Sequence, residues 1–171
     1  MILSVHAVFG AAVASMVPNH PVAGFALGFV SHFVLDAIPH KDYNLISVEP
    51  DINMKPRLID TIYKKFRLVR DITLVSFDAL FGLALAFMFF FNYEHPWVFM
   101  IGALGSLLPD FLTFLYIFIR HKPLSLFCDF HVSLIHSKII LKLNQTMGIF
   151  VQFCTLAVLI AIMFFIERLL V

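Results

Sequence analysis

The sequence predicts an all-α fold: a polytopic transmembrane bundle of about five spans, with one further helix lying at the membrane surface. Three observations predict it. Hydrophobic residues make up 61% of the 171 residues and charged residues 13%, and the mean hydropathy is +0.94. Five apolar segments approach the length of a bilayer-crossing helix. Eleven of the twelve Lys and Arg residues lie in, or border, two of the connections between those segments. Soluble domains carry roughly 25% charged residues, so this composition cannot clothe a water-exposed surface. It excludes a disordered chain on the same ground, and a net charge of +1 gives no pull towards nucleic acid. Cys128 and Cys154 stand in apolar segments, too far apart for a CxxC motif, so no disulfide framework is expected.

A spanning helix needs about 20 mostly apolar residues. The expected spans are Ile2–Val17, Pro21–Ile38, Leu68–Phe91, Pro96–Ile119 and Thr146–Ile166, within a single membrane domain. The first is short, and the charge-free turn Pro18-Asn19-His20-Pro21 makes it one arm of a tight hairpin. It lacks the basic start of a signal peptide and reads as a retained span. Pro21 and Pro96 suit helix starts, where a missing N–H does no harm. Loop 39–67 and the region after Ile119 hold the basic residues. With an odd number of spans both share the side of the N-terminus, which the positive-inside bias places in the cytoplasm of a cell whose inner (plasma) membrane holds the chain. The stretch 123–143 is apolar but carries Asp129, His131, His136, Lys138 and Lys142, so it reads as a cytoplasmic interfacial or partly re-entrant helix. Lys55–Arg70 reads as a second interfacial amphipathic helix.

An internal duplication is visible. At an offset of 72 residues, VHAVFGAAVASM (5–16) aligns with FDALFGLALAFM (77–88), matching Ala7, Phe9, Gly10, Ala12, Ala14 and Met16 to identical residues. After small gaps, Ala26-Leu27-Gly28 meets Ala103-Leu104-Gly105. Hairpins 2–38 and 72–119 would then be copies related about an axis along the membrane normal. The alignment sets His6 opposite Asp78, two metal-ligand types at equal depth.

Ionisable residues inside spans are costly and face protein or a water-filled cavity. Here they are His6, His32, Asp36, Asp71, Asp78 and Asp110. His32 and Asp36 stand four apart, on one helical face, where they can share an ion or bond each other. Asp110 follows Pro109, whose missing N–H lets a helix bend around a ligand. His131 and His136 stand five apart, roughly 140° round an ideal α-helix, so both can reach one ion only across a break. His40 would continue the His32–Asp36 face, but Pro39 ends the helix first. Asp71 reads as a structural partner of Arg70 or Arg67, and His20, His95 and His121 as turn residues.

The segments GSLLPD (105–110) and HVSLIHS (131–137) resemble those of the bacterial integral-membrane metal-dependent hydrolases of the LexA-regulated inner-membrane type. His6 with Gly10 is similar to that family's N-terminal His-Gly signature, and His32 with Asp36 to its SHxxxD segment. The order is partly permuted, since HxxxD precedes the Pro-Asp segment, and Val132-Ser133 replaces the family's Arg-Gly. The resemblance implies a zinc-type hydrolase.

The function expected is a membrane-embedded hydrolase with a cytoplasm-facing His/Asp site, acting on a phosphoester-bearing lipid or small substrate. Mixed imidazole and carboxylate donors suit Zn2+ or Mn2+, one or two ions. The ligand candidates are His6, His32, Asp36, Asp78, Asp110, His131 and His136, with Asp36 either ligand or catalytic base. The alternative is a non-catalytic permease or scaffold that uses the same cluster for ion passage or helix packing.

Overall fold

Helix α1, Leu3–Ser15, is apolar on every face, and a helix of that kind must be covered on every face. In the computed structural model it is the centre of the bundle, packed against α2 (Pro21–Asp36), α3 (Lys64–Phe90), α4 (Val98–Phe118) and α6 (Gln145–Leu170). Eleven of its thirteen residues are buried. Between α2 and α3 lies an antiparallel pair of short strands, β1 (Val48–Pro50) and β2 (Pro56–Leu58). After α4 comes α5 (Lys122–Cys128), continued by a π-helical segment, Asp129–His136. The structure describes residues 1–38, 40, 42–50, 55–59, 62–136 and 144–170, without the side chains of 50, 133–136, 145, 163 and 166–170.

Small residues bring the helices together. A Cβ on Gly10 or on Gly28 would run into the carbonyl of Gly102, and one on Gly102 into that of Gly10. Three helix backbones therefore touch at one level, the contact by which apolar helices associate without large side chains. Gly82 brings α3 against the backbone of Ser4 in the same way. Larger apolar residues fill the remaining space: Val5, Val8, Phe9, Leu35 and Leu156 form one core cluster, and Ala7, Ala11, Ala86, Phe99 and Ala103 another.

The N-terminal end of α1 is buried and has no side-chain cap of its own. Three distant residues supply the acceptors that its first N–H groups need. Ile2 N–H donates to Gln152 Oε1 at 2.8 Å, Leu3 N–H to the Tyr43 hydroxyl at 2.7 Å and Ser4 N–H to Asp78 Oδ2 at 2.9 Å. The Tyr43 hydroxyl in turn donates to Asp78. Burial and that carboxylate push the Tyr43 phenol well above its ordinary range, so it stays a donor. These bonds tie α6, the 42–50 loop and α3 to the central helix.

Asp71 anchors the same loop. Its Oδ2 accepts from Ile46 N–H at 2.8 Å and Ser47 N–H at 2.7 Å, and its Oδ1 from Arg70 at 2.7 Å. The structural role read for Asp71 is the one it has. No amphipathic helix runs over Lys55–Arg70, however. Pro56, which cannot donate within a helix, stands opposite Pro50 in the strand pair, and α3 begins only at Lys64.

The expectation of five spans is also corrected. Among the described residues two helices, α3 and α4, are long and apolar enough to cross a membrane. With 13 and 16 residues, α1 and α2 rise about 20 and 24 Å, short of a hydrocarbon core about 30 Å thick. Of α6, Gln145–Leu170, the apolar stretch Thr146–Ile162 is described with its side chains. Over 123–143 the chain is α-helical to Cys128 and π-helical over Asp129–His136, while residues 137–143, with Ser137, Lys138 and Lys142, lie outside the described residues.

Candidate metal centre

Helix α2 buries a single stripe: Gly24, Gly28, Ser31, His32, Leu35 and Asp36. Gly24 faces Ala14 of α1, and Gly28 and Ser31 seat the stripe against α4, where the Ser31 and Ser106 hydroxyls lie 3.5 Å apart. His32 and Asp36, one turn apart at the end of the stripe, are thereby held at the bundle's interior.

Each imidazole is oriented through its Nδ1. His32 Nδ1–H donates to the Ser106 carbonyl at 2.7 Å. This carbonyl adjoins the turn where Pro109 takes a donor out of the α4 ladder. His131, in the π-helical segment, contacts Thr113 Oγ1 through Nδ1 at 2.8 Å. The Thr113 hydroxyl proton is engaged with the Pro109 carbonyl at 3.1 Å, so the Thr113 oxygen accepts and His131 Nδ1 carries the proton. In both neutral rings the lone pair is then on Nε2. Those two nitrogens face each other at 3.0 Å.

Asp36 Oδ2 completes a triangle with them, 2.9 Å from His32 Nε2 and 3.1 Å from His131 Nε2. Three electron-pair donors with edges of about 3 Å repel one another unless a cation or protons sit between them. Tetrahedral zinc, with bonds of about 2.0–2.1 Å, spaces its ligand atoms about 3.3 Å apart, which this triangle meets with shifts of a few tenths of an ångström. Asp110 Oδ1 lies 3.8 Å from both Nε2 atoms, and its side chain is 30% exposed where His32, His131 and Asp36 are buried. The donor set could hold a metal ion, with Asp110 its partly exposed member.

His6 stacks on His32, ring centroids 4.1 Å apart and planes at 21°. It is fully buried, and neither ring nitrogen makes a hydrogen bond. Its Nε2 stands 3.2 Å from Asp36 Oδ1 in a geometry that makes an ion contact only. His6, His32 and Asp110, like His32, Asp36 and His131, each offer a ligand atom within 4.8 Å of one another.

Of the seven ligand candidates, the structure gathers His6, His32, Asp36, Asp110 and His131. Asp78 is given other work: its carboxylate caps the start of α1, and among the described residues it falls in neither ligand group. The pairing of His6 with Asp78 by the duplicated sequence therefore does not extend to a shared role. The backbone of His136 closes the π-helical segment, and its side chain lies outside the described residues.

Four residues at the centre had not been singled out as ligands or supports. Ser106 and Thr113 orient imidazoles, and His40 and Asp42 reach in from the loop after α2. His40 Nε2 lies 3.8 Å from Asp36 Oδ1 and 3.1 Å from Asp42 Oδ1. The α-amino group of Met1 stands 3.2 Å from Asp36 Oδ1 and 2.7 Å from Asp42 Oδ1. The i, i+4 spacing of Asp36 and His40 was a usable signal, since a chain leaving a helix can keep a side chain over the same face.

Comparison of the chain with protein-family models, curated proteins and solved structures finds no match.

Proposed function

We propose that the chain is a membrane-embedded, metal-dependent hydrolase whose site opens at the basic end of the bundle and acts on a phosphoester-bearing lipid or small substrate. The observation that carries this reading is the triangle of His32 Nε2, His131 Nε2 and Asp36 Oδ2. It is a set of three converging donor atoms, each imidazole held by an oxygen acceptor as metal-bound imidazoles are.

Support for the membrane comes from an inverted polarity. The buried stripe of α2 carries Ser, His and Asp, whereas its outward face shows Val22, Phe25, Val30 and Val34. Only 11% of the apolar window of α3 is buried, and Phe77, Leu80, Phe87, Met88 and Phe89 are exposed. Water would not tolerate such a surface, and hydrocarbon would. In this reading α3 and α4 cross the bilayer and the shorter α1–α2 hairpin is sunk against them. The start of α3, with Lys64, Lys65, Arg67 and Arg70, and the end of α4, with Arg120, share one side of that hairpin. The positive-inside bias puts this side, and the site, in the cytoplasm.

An ion held by the triangle supplies Lewis-acid and water-activating chemistry. The residues divide the remaining work. Asp36, with both oxygens in contact with buried imidazoles, serves as a ligand. Asp110, partly exposed on the open side, is placed to take a proton from an attacking water. Arg120 stacks on Tyr116 at 4.6 Å, and Lys55 is held charged by Asp129 at 2.9 Å; both lie where an anionic head group would approach. The permease alternative needs polar groups through the far half of the bundle, but there Gly10, Ala11 and Ala14 close against Gly102 and Ala103. This favours a one-sided site. Detergent-purified protein loaded with Zn2+ or Mn2+ and offered a chromogenic phosphodiester or a phospholipid tests the reading. Turnover that chelation abolishes, and that Asp110→Asn abolishes while the ion is retained, is the expected result. A loaded protein that turns over neither substrate would contradict it.

A further inference from the structure

Apart from the candidate metal centre, a cavity of about 100 Å3 lies between the loop after α2, the start of α3 and α6. Asp42 and Asn44 of the loop, Arg70 and Leu74 of α3 and Ile149 of α6 line it, together with Ile2. We propose that this cavity is the head-group end of a binding site for one anionic phospholipid, whose phosphate rests on Arg70 and whose acyl chain runs along α3. The inference rests on the proposed membrane placement of α3 and not on the metal centre.

Arg70 is fixed at the cavity by its neighbours. Its Nη1 donates to Asp71 Oδ1 at 2.7 Å and to the Asn44 carbonyl at 3.1 Å, which leaves the rest of the guanidinium fork without a hydrogen bond among the described residues. The side chain is 41% exposed. A guanidinium held at one nitrogen and open at the others offers a phosphate a preorganised fork. Asp71 balances one charge at the start of α3, but Lys64, Lys65 and Arg67 stand within the same two turns. Asp42, which shares the cavity, is engaged by the Met1 α-ammonium at 2.7 Å. The local field therefore favours an anionic head group over one that carries its own cation.

The sequence of α3 supplies a track for the tail. Arg67, Arg70, Leu74, Phe77 and Phe81 are spaced three and four apart and so share one helical face. Leu74, Phe77 and Phe81 are exposed on it. From Arg70 to Phe81 the helix rises about 16–17 Å, close to half of a hydrocarbon core about 30 Å thick. An acyl chain of one leaflet, with its phosphate at Arg70, matches that stripe in length.

The test is native mass spectrometry of the full-length protein in detergent, titrated with dioleoyl-phosphatidylglycerol or dioleoyl-phosphatidylcholine. Wild type is expected to retain one phosphatidylglycerol per chain and to prefer it about tenfold, the worth of a hydrogen bond between charged partners. Two substitutions are expected to abolish the preference by separate means. Arg70→Gln removes the guanidinium, and Ile149→Trp fills the cavity from a partly exposed position on α6. Phe89→Trp, exposed at the other end of α3, is expected to bind as wild type does. Equal retention of the two lipids by wild type, retention of neither, or a preference that survives either substitution overturns the lipid site and leaves the membrane reading standing. Protein that, besides retaining neither lipid, stays dispersed in water without detergent overturns both.

Discussion

His32 Nε2 and His131 Nε2 stand 3.0 Å apart, and in each ring the other nitrogen is tied to an oxygen, Ser106 O or Thr113 Oγ1. The residues are 99 positions apart in the chain, on α2 and on the π-helical segment. In the function proposed above the two nitrogens share an ion, and the first two predictions follow from that.

Removing the ion should loosen the fold. At a free concentration one hundred times its Kd, a ligand that binds only the folded state adds about 2.7 kcal/mol. Chelation should therefore lower the thermal midpoint in detergent by several degrees, and re-addition of Zn2+ should restore it. His32→Ala should show neither change. Equal midpoints with and without chelator in wild type would contradict the account.

Thr113 should act through His131. Thr113→Val removes the acceptor that fixes the Nδ1 proton, and losing such a partner weakens metal binding about 10–100-fold. Thr113→Ser keeps the hydroxyl and should restore affinity to within a few-fold of wild type. Ion titration of the three proteins is the measurement, and a Val variant that binds like wild type would remove Thr113 from the site.

Tyr43→Phe should separate folding from metal binding. It leaves Leu3 N–H without its acceptor and takes one of two donors from Asp78, which keeps Ser4 N–H, at a cost of about 1–3 kcal/mol. The ion content should stay at the wild-type value, because Tyr43 touches the cap of α1 and none of the ligand atoms in the triangle. A loss of metal with unchanged stability would invert these roles.

Gly102→Ala should be costly for its size. Its Cβ would meet the Gly10 carbonyl and the Ala14 side chain, so α1 and α4 must part. Overpacking of this kind costs about 1–3 kcal/mol, read as a lower midpoint in a detergent unfolding series. The same substitution at Gly24, where a Cβ would find its nearest neighbour 3.3 Å away, should be milder.

Much of the centre was legible in the sequence because its residues lie on regular elements. The spacing of His32 and Asp36 put them on one face, and Pro109 flagged Asp110. His131 stood out as an imidazole in an apolar segment. What escaped was set by irregular backbone. Asp42 returns to the centre through the loop after α2, which no helical period describes, and His40, one α-helical turn on from Asp36, was set aside because Pro39 ends the helix. Asp78 was placed among the ligands because an intramembrane carboxylate looks the same in sequence whether it binds an ion or caps a helix. The clue lay elsewhere: α1 begins at Ile2-Leu3, with no Ser, Thr, Asp or Asn at its cap, so its buried N–H groups needed an acceptor from another element. The span number went wrong for a plainer reason. Ile2–Val17 and Pro21–Ile38 were admitted as spans although they hold 16 and 18 residues, and their helices end earlier still, at Ser15 and Asp36.

The most direct measurement is X-ray absorption at the metal edge of protein purified without added chelator, together with its ion content. The account predicts at least one transition-metal ion per chain, in a nitrogen and oxygen shell at about 2.0–2.1 Å that includes two imidazoles, reduced by one imidazole in His131→Gln. Protein that carries no ion and takes none up on titration, or a shell unaltered by His131→Gln, would contradict it.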